Sequence, residues 1–159
     1  MEAFVIIATK GRARESRRLL LSLSKQTLKP KGVIFVGAEP ADLDGLEEAP
    51  CFAELDCRLC YATRPGLTLQ RNIGIERVLT DWRPAGDWFA AFFDDDFRPA
   101  ADWLEQVRNI FLDDPKIMGV TGQVIADGIH GASISEDDAL AYLEGRLPPG
   151  RCWAQWEEP

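Results

Sequence analysis

The chain has 159 residues, of which 46% are hydrophobic and 28% are charged, so we expect one globular domain with a sizeable core. Its net charge of −8 argues against a general binder of nucleic acid or of anionic membranes. Residues 1–36 carry eight Lys and Arg against two Asp and Glu, so this quarter is basic and is either an anion-binding region or a solvated helix face.

The first third of the chain predicts a β-α-β unit. Residues 4–8 form an unbroken apolar run, which is typical of a central parallel strand. Residues 9–12 form the turn that follows, and leucines at helical spacing predict a helix from about residue 13 to 26. Residues 33–36 are then the second strand.

The middle of the chain carries weaker signals. Residues 37–56 contain Pro40, Gly45 and Pro50 among many acidic side chains, which indicates a loop or a weak helix. Residues 57–62 predict a short strand, and residues 64–66 predict a turn. Thr68 is a candidate cap for a helix from Leu69 to about Leu79.

The strongest pattern is a run of six apolar residues, 88–93, that leads directly into Asp94, Asp95 and Asp96. Such a run predicts a strand that is buried on both faces. Adjacent carboxylates raise each other's pKa, so a cation should compensate them. Oxygen ligands at the carboxyl end of a strand suit Mg²⁺ or Mn²⁺, and ligands of open α/β sheets bind at that edge. The alternative is an acidic loop that caps a helix.

The rest of the chain continues the alternation. Pro99 fits a helix start, and apolar residues keep helical spacing up to residue 111. Residues 116–125 predict a further strand, and Ser135 predicts the cap of a short helix that ends near Glu144. Alternating strands and helices predict a three-layer α/β/α sandwich with a mostly parallel, Rossmann-like sheet.

Three groups should meet if the strands end at one edge: the turn with Thr9 and Arg12, the helix start with Arg71 and Asn72, and the three aspartates. A cation in the first turn of a helix is unfavourable, so Arg71 predicts a bound anion; the alternative is an arginine that extends into water. A divalent cation that bridges carboxylate and phosphate oxygens would join the two charged groups.

Three cysteines, Cys51, Cys57 and Cys60, lie close in sequence, and the last two have the spacing of metal ligands. A zinc site needs a fourth ligand, yet Cys152 is distant and His130 is the only histidine. We therefore expect reduced, unligated thiols. No apolar run approaches the ~20 residues that span a bilayer, and no secretory signal precedes the first strand. The expected compartment is the cytosol, with attachment to the inner membrane face through a region outside these residues left open.

Residues 22–27, 65–76 and 93–99, in this order and spacing, resemble the family 2 glycosyltransferases over roughly residues 3–127. The resemblance implies a GT-A fold, a nucleotide-diphosphate-sugar donor and Mg²⁺ or Mn²⁺ at a D-x-D motif, here Asp94 and Asp96. It implies transfer to an acceptor sugar or glycolipid, as in polysaccharide biosynthesis, with inversion at the anomeric carbon. Donor-binding residues would also include Thr9, Arg12 and Asp95, with Arg71 near the base or the diphosphate.

Two departures from the family pattern follow from the sequence. Residues 37–39 replace the aspartate that many members use to recognise uracil, so the base stays open. Glu136-Asp137 follows Asp96 too closely to be the family's general base, so no catalytic residue is assigned. We expect residues 1–127 to form the nucleotide-sugar-binding core and residues 128–159 to begin an acceptor-side region.

Two other functions remain to be weighed. A non-catalytic or truncated module would bind a nucleotide sugar or a metal without transferring the sugar. A sugar nucleotidyltransferase would need a glycine-rich phosphate loop after the first strand, and residues 9–12 contain one glycine.

Overall fold

The structure is a computed structural model that describes residues 1–126 and 134–148. The chain divides into two compact units, Met1–Met118 and Gly119–Pro159. The predicted boundary after residue 127 stays a prediction. The first unit contains the sheet and every predicted donor-binding residue.

The first unit is built on a four-stranded parallel sheet. Its strands, in chain order, are β1 (Glu2–Ala8), β2 (Gly32–Gly37), β3 (Cys57–Tyr61) and β4 (Trp88–Asp94). Their order across the sheet is β3-β2-β1-β4. In the register of the sheet Ala8 lies beside both Val36 and Asp94, so three strands end together at what we call the carboxyl edge.

Helices connect the strands and cover both faces of the sheet. The described helices, in chain order, are α1 (Ala13–Leu23), α2 (Cys51–Glu54), α3 (Leu67–Arg77), α4 (Trp103–Asp113) and α5 (Glu136–Leu143). A 3-10 turn (Pro40–Leu43) follows β2, and a π-helical turn (Val78–Trp82) extends α3. The predicted alternation of strands and helices, and with it the three-layer α/β/α fold, is confirmed.

Alternate residues of the central strand are buried under different layers. Phe4 and Ile6 belong to a buried cluster on the α3 side, where Gly74 approaches so closely that a Cβ atom would overlap Ile6. On the other side three leucines of α1, Leu19, Leu20 and Leu23, are fully buried, and β4 contacts α4 through Phe93 and Trp103, whose ring centroids are 4.8 Å apart. Helices therefore pack on both faces of β1 and hold its carboxyl end in place.

The last strand is less buried than its composition predicts. The prediction that β4 is buried on both faces is wrong, because β4 lies at one edge of the described sheet and its side chains alternate. Phe89, Ala91 and Phe93 are buried, whereas Phe92 is 41% exposed. A continuous apolar run specifies a strand but not whether helices cover both of its faces.

Three further local predictions are wrong. No strand forms over residues 116–125, where two glycines weaken strand pairing and Met118 is exposed. Thr68 does not cap α3, because the helix begins at Leu67 and Gly66 precedes it without a side-chain cap. Pro99 does not start α4, which begins at Trp103 after Asp102.

The described part of the second unit contains the predicted short helix. Ser135 precedes α5, and its hydroxyl oxygen accepts a hydrogen bond from the backbone N–H of Asp138, as a capping residue does. Over residues 1–126 and 134–148, no helix combines the length and the apolar character that crossing a membrane requires.

Candidate nucleotide-diphosphate site

The carboxyl edge brings together the charged residues that the sequence singles out. Arg12, at the end of the turn after β1, places its Nη1 atom 2.7 Å from Asp96 and 3.2 Å from Asp95. Arg71, from α3, places its Nη2 atom 2.9 Å from Asp94. The predicted convergence of the three groups is thus observed, and two arginines compensate the three carboxylates.

The three aspartates do not have the same environment. The side chains of Asp94 and Asp96 are 65% and 58% exposed, whereas Asp95 is 6% exposed. Burial raises the pKa of Asp95, and hydrogen bonds from Thr9 and Arg12 oppose that rise. Asp95 therefore belongs to the supporting structure of the edge, while its two neighbours present oxygen atoms to solvent.

Thr9 holds the buried aspartate. Its hydroxyl donates to Asp95 Oδ2 at 2.8 Å and accepts from Ser16 of α1 at 3.1 Å. Since Thr9 is itself 2% exposed, this chain of hydrogen bonds links β1, α1 and the end of β4 below the surface. The structure places Thr9 under the site, and a direct contact between Thr9 and a donor stays a prediction.

The two arginines occupy different positions on their helices. Arg12 immediately precedes α1, and its hydrogen bond to Asp95 is the largest cause of its raised pKa. Arg71 is the fifth residue of α3, not a first-turn residue as predicted, because the helix begins two residues earlier than expected. Its guanidinium carbon lies 5.8 Å from the centre of the exposed Phe92 ring. Despite these different positions, both guanidinium groups lie at the carboxyl edge beside carboxylates.

Gln70, which the sequence prediction missed, ties three elements together beside Arg71. Its Nε2 atom donates to the carbonyl oxygens of Thr9 at 2.9 Å and Val36 at 2.6 Å, and its Oε1 atom accepts from the Gly66 N–H at 3.2 Å. The side chain is buried. Gln70 therefore sets the position of the first turns of α3 against the ends of β1 and β2.

Asp42 was also missed, and it links the loops after the first two strands. Its carboxylate accepts from the backbone N–H groups of Gly11 at 2.6 Å, Ala38 at 2.8 Å and Glu39 at 3.0 Å. Burial alone would raise the pKa of Asp42, but these hydrogen bonds outweigh it, and the pKa lies below its ordinary value. The position of Gly11, and with it that of Arg12, depends on this buried carboxylate.

Other residues considered from sequence do not join this group. Asn72, on α3, is exposed. Glu136 and Asp137 lie in the first turn of α5, in the second unit, as the prediction of a helix start has it.

The donor atoms at the edge suit a cation that is only partly bound by protein. Among the described residues, no group of three or more His, Cys, Asp or Glu side chains could hold a metal ion. Asp94 and Asp96 present exposed carboxylate oxygens, which are the ligands that Mg²⁺ and Mn²⁺ prefer. Two carboxylates are fewer than the oxygen ligands that these ions take, so an ion at this edge would complete its coordination with water and phosphate oxygens.

The cysteine cluster is divided by the sheet. Cys57 and Cys60 are three residues apart on β3, so their side chains point to opposite faces. Cys60 packs with the cluster on the α3 side, whereas Cys57 lies near Cys51. Burial is the main cause that raises the pKa of Cys57 to about 12 and that of Cys60 to about 11, so burial favours the protonated thiol at both positions. Cys152 and His130 lie outside the described residues.

Comparisons with known proteins agree with the fold described above. The family model described as Glycosyl transferase family 2 matches residues 4–144. A structure of S. aureus TarS residues 1–349 aligns with a TM-score of 0.58 and 18% identity, covering 80% of this chain and 40% of that chain. The same part of TarS in complex with UDP-GlcNAc aligns with a TM-score of 0.56 and 18% identity, over 82% and 42% of the two chains.

A third structure, TarS 1–349 in complex with UDP, also aligns with a TM-score of 0.56 and 18% identity, over 82% of this chain and 43% of that one. At this level of identity the likeness shows a shared fold. The chain spans about two-fifths of the length of these TarS structures. A comparison with curated protein sequences found no match.

Proposed function

This chain belongs to glycosyl transferase family 2, and on that premise we propose that its carboxyl edge binds a nucleotide-diphosphate sugar for transfer to an acceptor. One observation carries the proposal. Two exposed carboxylates, Asp94 and Asp96, and two arginines, Arg12 and Arg71, meet where three parallel strands end. Ligands of open α/β sheets bind at that edge.

Different side chains at the edge would bind the diphosphate and the metal ion. Guanidinium groups donate paired hydrogen bonds to phosphate oxygens, so Arg12 and Arg71 are the anion-binding residues. Asp94 and Asp96 would hold Mg²⁺ or Mn²⁺, which when bound neutralises charge on the departing diphosphate. Asp95 and Thr9 keep the loops in place beneath them.

Uridine diphosphate is the first nucleotide to test. The two TarS complexes, with UDP and with UDP-GlcNAc, support this choice. Asp42 follows β2 closely, but its carboxylate is used on three backbone N–H groups and is not available to recognise a base. Base selection would then depend on the backbone and on other side chains around residues 37–39.

Transfer would invert the anomeric carbon, as the family resemblance implies. Inversion needs a base that removes the proton of the acceptor hydroxyl during in-line attack. We place that base and the acceptor site, for a sugar or a glycolipid, outside the first unit. The first unit would bind the donor. We expect it to do so in the cytosol or at the inner face of a membrane.

Calorimetry with UDP in the presence and absence of Mn²⁺ tests the proposal. UDP should bind wild-type protein markedly more tightly with Mn²⁺, and Asp96→Ala should lose the metal-dependent part of the affinity. Asp113→Ala removes the same charge at an exposed helix end and should behave as wild type. Equal affinity with and without Mn²⁺ would contradict the assignment of Asp94 and Asp96.

A transfer assay distinguishes an enzyme from the alternative, a module that binds the donor without transferring the sugar. A non-catalytic or truncated binding module gives the same calorimetry but no release of UDP from UDP-GlcNAc with any acceptor sugar. GDP and ADP, titrated under the same conditions, measure how far the site selects the base.

A further inference from the structure

Arg71 contacts one oxygen of a carboxylate that is proposed to hold a metal ion. Its Nη2 atom lies 2.9 Å from Oδ1 of Asp94, one of the two carboxylates proposed to hold Mg²⁺ or Mn²⁺. The Asp94 side chain is 65% exposed and that of Arg71 is 34% exposed, so the ion pair lies at the rim of the site and solvent reaches its acidic partner. An exposed pair of this kind is weak and exchanges partners easily.

A guanidinium and a divalent cation repel each other and compete for the same carboxylate. A cation that arrives alone must therefore displace Arg71 from Asp94 or bind beside it against repulsion. A diphosphate changes this balance, because its oxygens accept hydrogen bonds from Arg71 and also bind the cation. Arg71 then gains a new partner at the moment it gives up the old one.

Arg12 is held differently and is expected to stay in place. It contacts two carboxylates, and one of them, Asp95, is buried and fixed by Thr9. Arg71 contacts one exposed carboxylate, that of Asp94, and its guanidinium group lies over the ring of Phe92. Both arginines contact a proposed metal ligand, Arg12 on Asp96 and Arg71 on Asp94, but Arg71 has no second carboxylate to hold it there.

We infer that Arg71 is an internal counter-ion of Asp94 that a divalent cation and a nucleotide diphosphate displace together, so that each ligand strengthens the binding of the other. The inference rests on the proposed donor site and adds the order of events within it. Because coupling between two ligands is reciprocal, UDP must raise the affinity for Mn²⁺ by the same factor as Mn²⁺ raises the affinity for UDP.

The test titrates Mn²⁺ alone, UDP alone, and UDP with saturating Mn²⁺ into the full chain, as wild type and carrying Arg71→Met. Arg58→Met is a matched control. Arg58 also pairs with an aspartate, at 3.4 Å from Asp56, and also lies over an aromatic ring, 4.9 Å from the centre of Trp82. It lies on β3 near its start, away from the carboxyl edge. The two variants therefore remove the same charge from similar surroundings.

Arg71→Met should bind Mn²⁺ alone roughly three- to fivefold more tightly than wild type, as expected from loss of a competing exposed ion pair. The same variant should bind UDP with Mn²⁺ about tenfold more weakly, because a charge-assisted contact to phosphate is lost. The coupling factor between UDP and Mn²⁺ should fall as well. Arg58→Met should match wild type in all three measurements, and Arg71→Gln should reproduce the Arg71→Met result.

Two results would overturn the inference: Arg71→Met binds Mn²⁺ alone no more tightly than Arg58→Met, or neither wild type nor Arg71→Met binds Mn²⁺ at all. The proposed function fails by a different result, in which wild-type protein binds no UDP even with Mn²⁺. In that case the titrations with Mn²⁺ alone still decide whether Arg71 competes for Asp94.

Discussion

The two ends of the parallel sheet use polar residues in different ways. Among the described residues, six polar or charged side chains are buried, and five of these support the carboxyl edge: Thr9, Ser16, Asp42, Gln70 and Asp95. The amino end has ion pairs at the surface instead. Lys31 pairs with Glu2 at 3.8 Å, and Arg58 pairs with Asp56 at 3.4 Å.

This contrast indicates which end of the sheet has to be held in one geometry. Burying a polar group costs free energy unless it is hydrogen-bonded, so a buried polar network requires each donor and acceptor to lie at hydrogen-bond distance from a partner. Exposed ion pairs contribute about 0–1 kcal/mol each and impose little geometry. The carboxyl edge is therefore the rigid end, and it holds both the turn that carries Arg12 and the helix that carries Arg71.

Removing the carboxylate of Asp42 should have the largest effect on stability. Asp42→Ala leaves the backbone N–H groups of Gly11, Ala38 and Glu39 without their acceptor, at a cost of roughly 3 kcal/mol in the free energy of unfolding. Urea denaturation measures this. The control is Asp44→Ala, which removes an exposed carboxylate two residues away and should change stability by less than about 0.5 kcal/mol. Equal losses would refute a special role for the carboxyl edge.

Gln70→Met should have the next largest effect. It keeps the volume of the side chain but leaves the carbonyl group of Thr9 without its Gln70 donor and that of Val36 with the Thr9 N–H alone, which should cost about 2 kcal/mol. UDP affinity should fall too, because Arg71 is the next residue of α3. Gln106→Met, which alters an exposed glutamine bonded to Asp102, should leave both quantities unchanged. A stability loss without any loss of UDP affinity would limit Gln70 to a purely structural role.

The two buried aspartates should respond to acid in opposite directions. The pKa of Asp42 is lowered on folding, so its contribution is complete above the ordinary carboxyl pKa and is lost as the pH falls through the lowered value. The pKa of Asp95 is raised, so its contribution is complete at low pH and declines as the pH rises through the raised value.

Urea denaturation from neutral to acidic pH measures both effects. The stability advantage of wild type over Asp42→Asn should shrink as the pH falls, whereas the difference between wild type and Asp95→Asn should shift in favour of wild type. The effects at the two sites have opposite signs, so a general acid destabilisation of the fold cannot imitate them. Parallel changes in both variants would contradict the environments described here.

The smallest effects should come from the amino end. Lys31→Met and Arg58→Met each remove one partner of an exposed ion pair and should change the free energy of unfolding by less than about 0.5 kcal/mol. Neither should alter UDP binding. A large loss of UDP affinity in either variant would mean that the amino end also shapes the site.

The elements and the exposed part of the site could be predicted because their signals are local. Apolar runs placed all four strands within two residues of their observed ends, and the three aspartates after the fourth run marked the carboxyl edge. Helix starts were less accurate. Thr68 and Pro99 are the predicted start signals, but α3 begins at Leu67 and α4 begins at Trp103. Propensity at a helix end is worth little against burial of a whole helix face.

Gln70 and Asp42 could not be found in the same way. The partners of Gln70 are backbone carbonyl groups that lie 34 and 61 residues away, and Gly11 lies 31 residues from Asp42. Backbone groups leave no mark in a sequence pattern. The one local hint was a capping arrangement between Glu39 and Asp42 at the turn after β2.

The sequence by itself determined the α/β class, the family and the placement of Asp94, Asp95 and Asp96 at a strand end, because periodicity and motif spacing are properties of neighbouring residues. Only the tertiary structure decided how the three carboxylates differ. Thr9 and Arg12 reach Asp95 from more than 80 residues away, while Asp94 and Asp96 stay exposed beside their arginines. Burial and hydrogen bonding depend on which chain segments meet, and the packing of helices on the sheet brings those segments together.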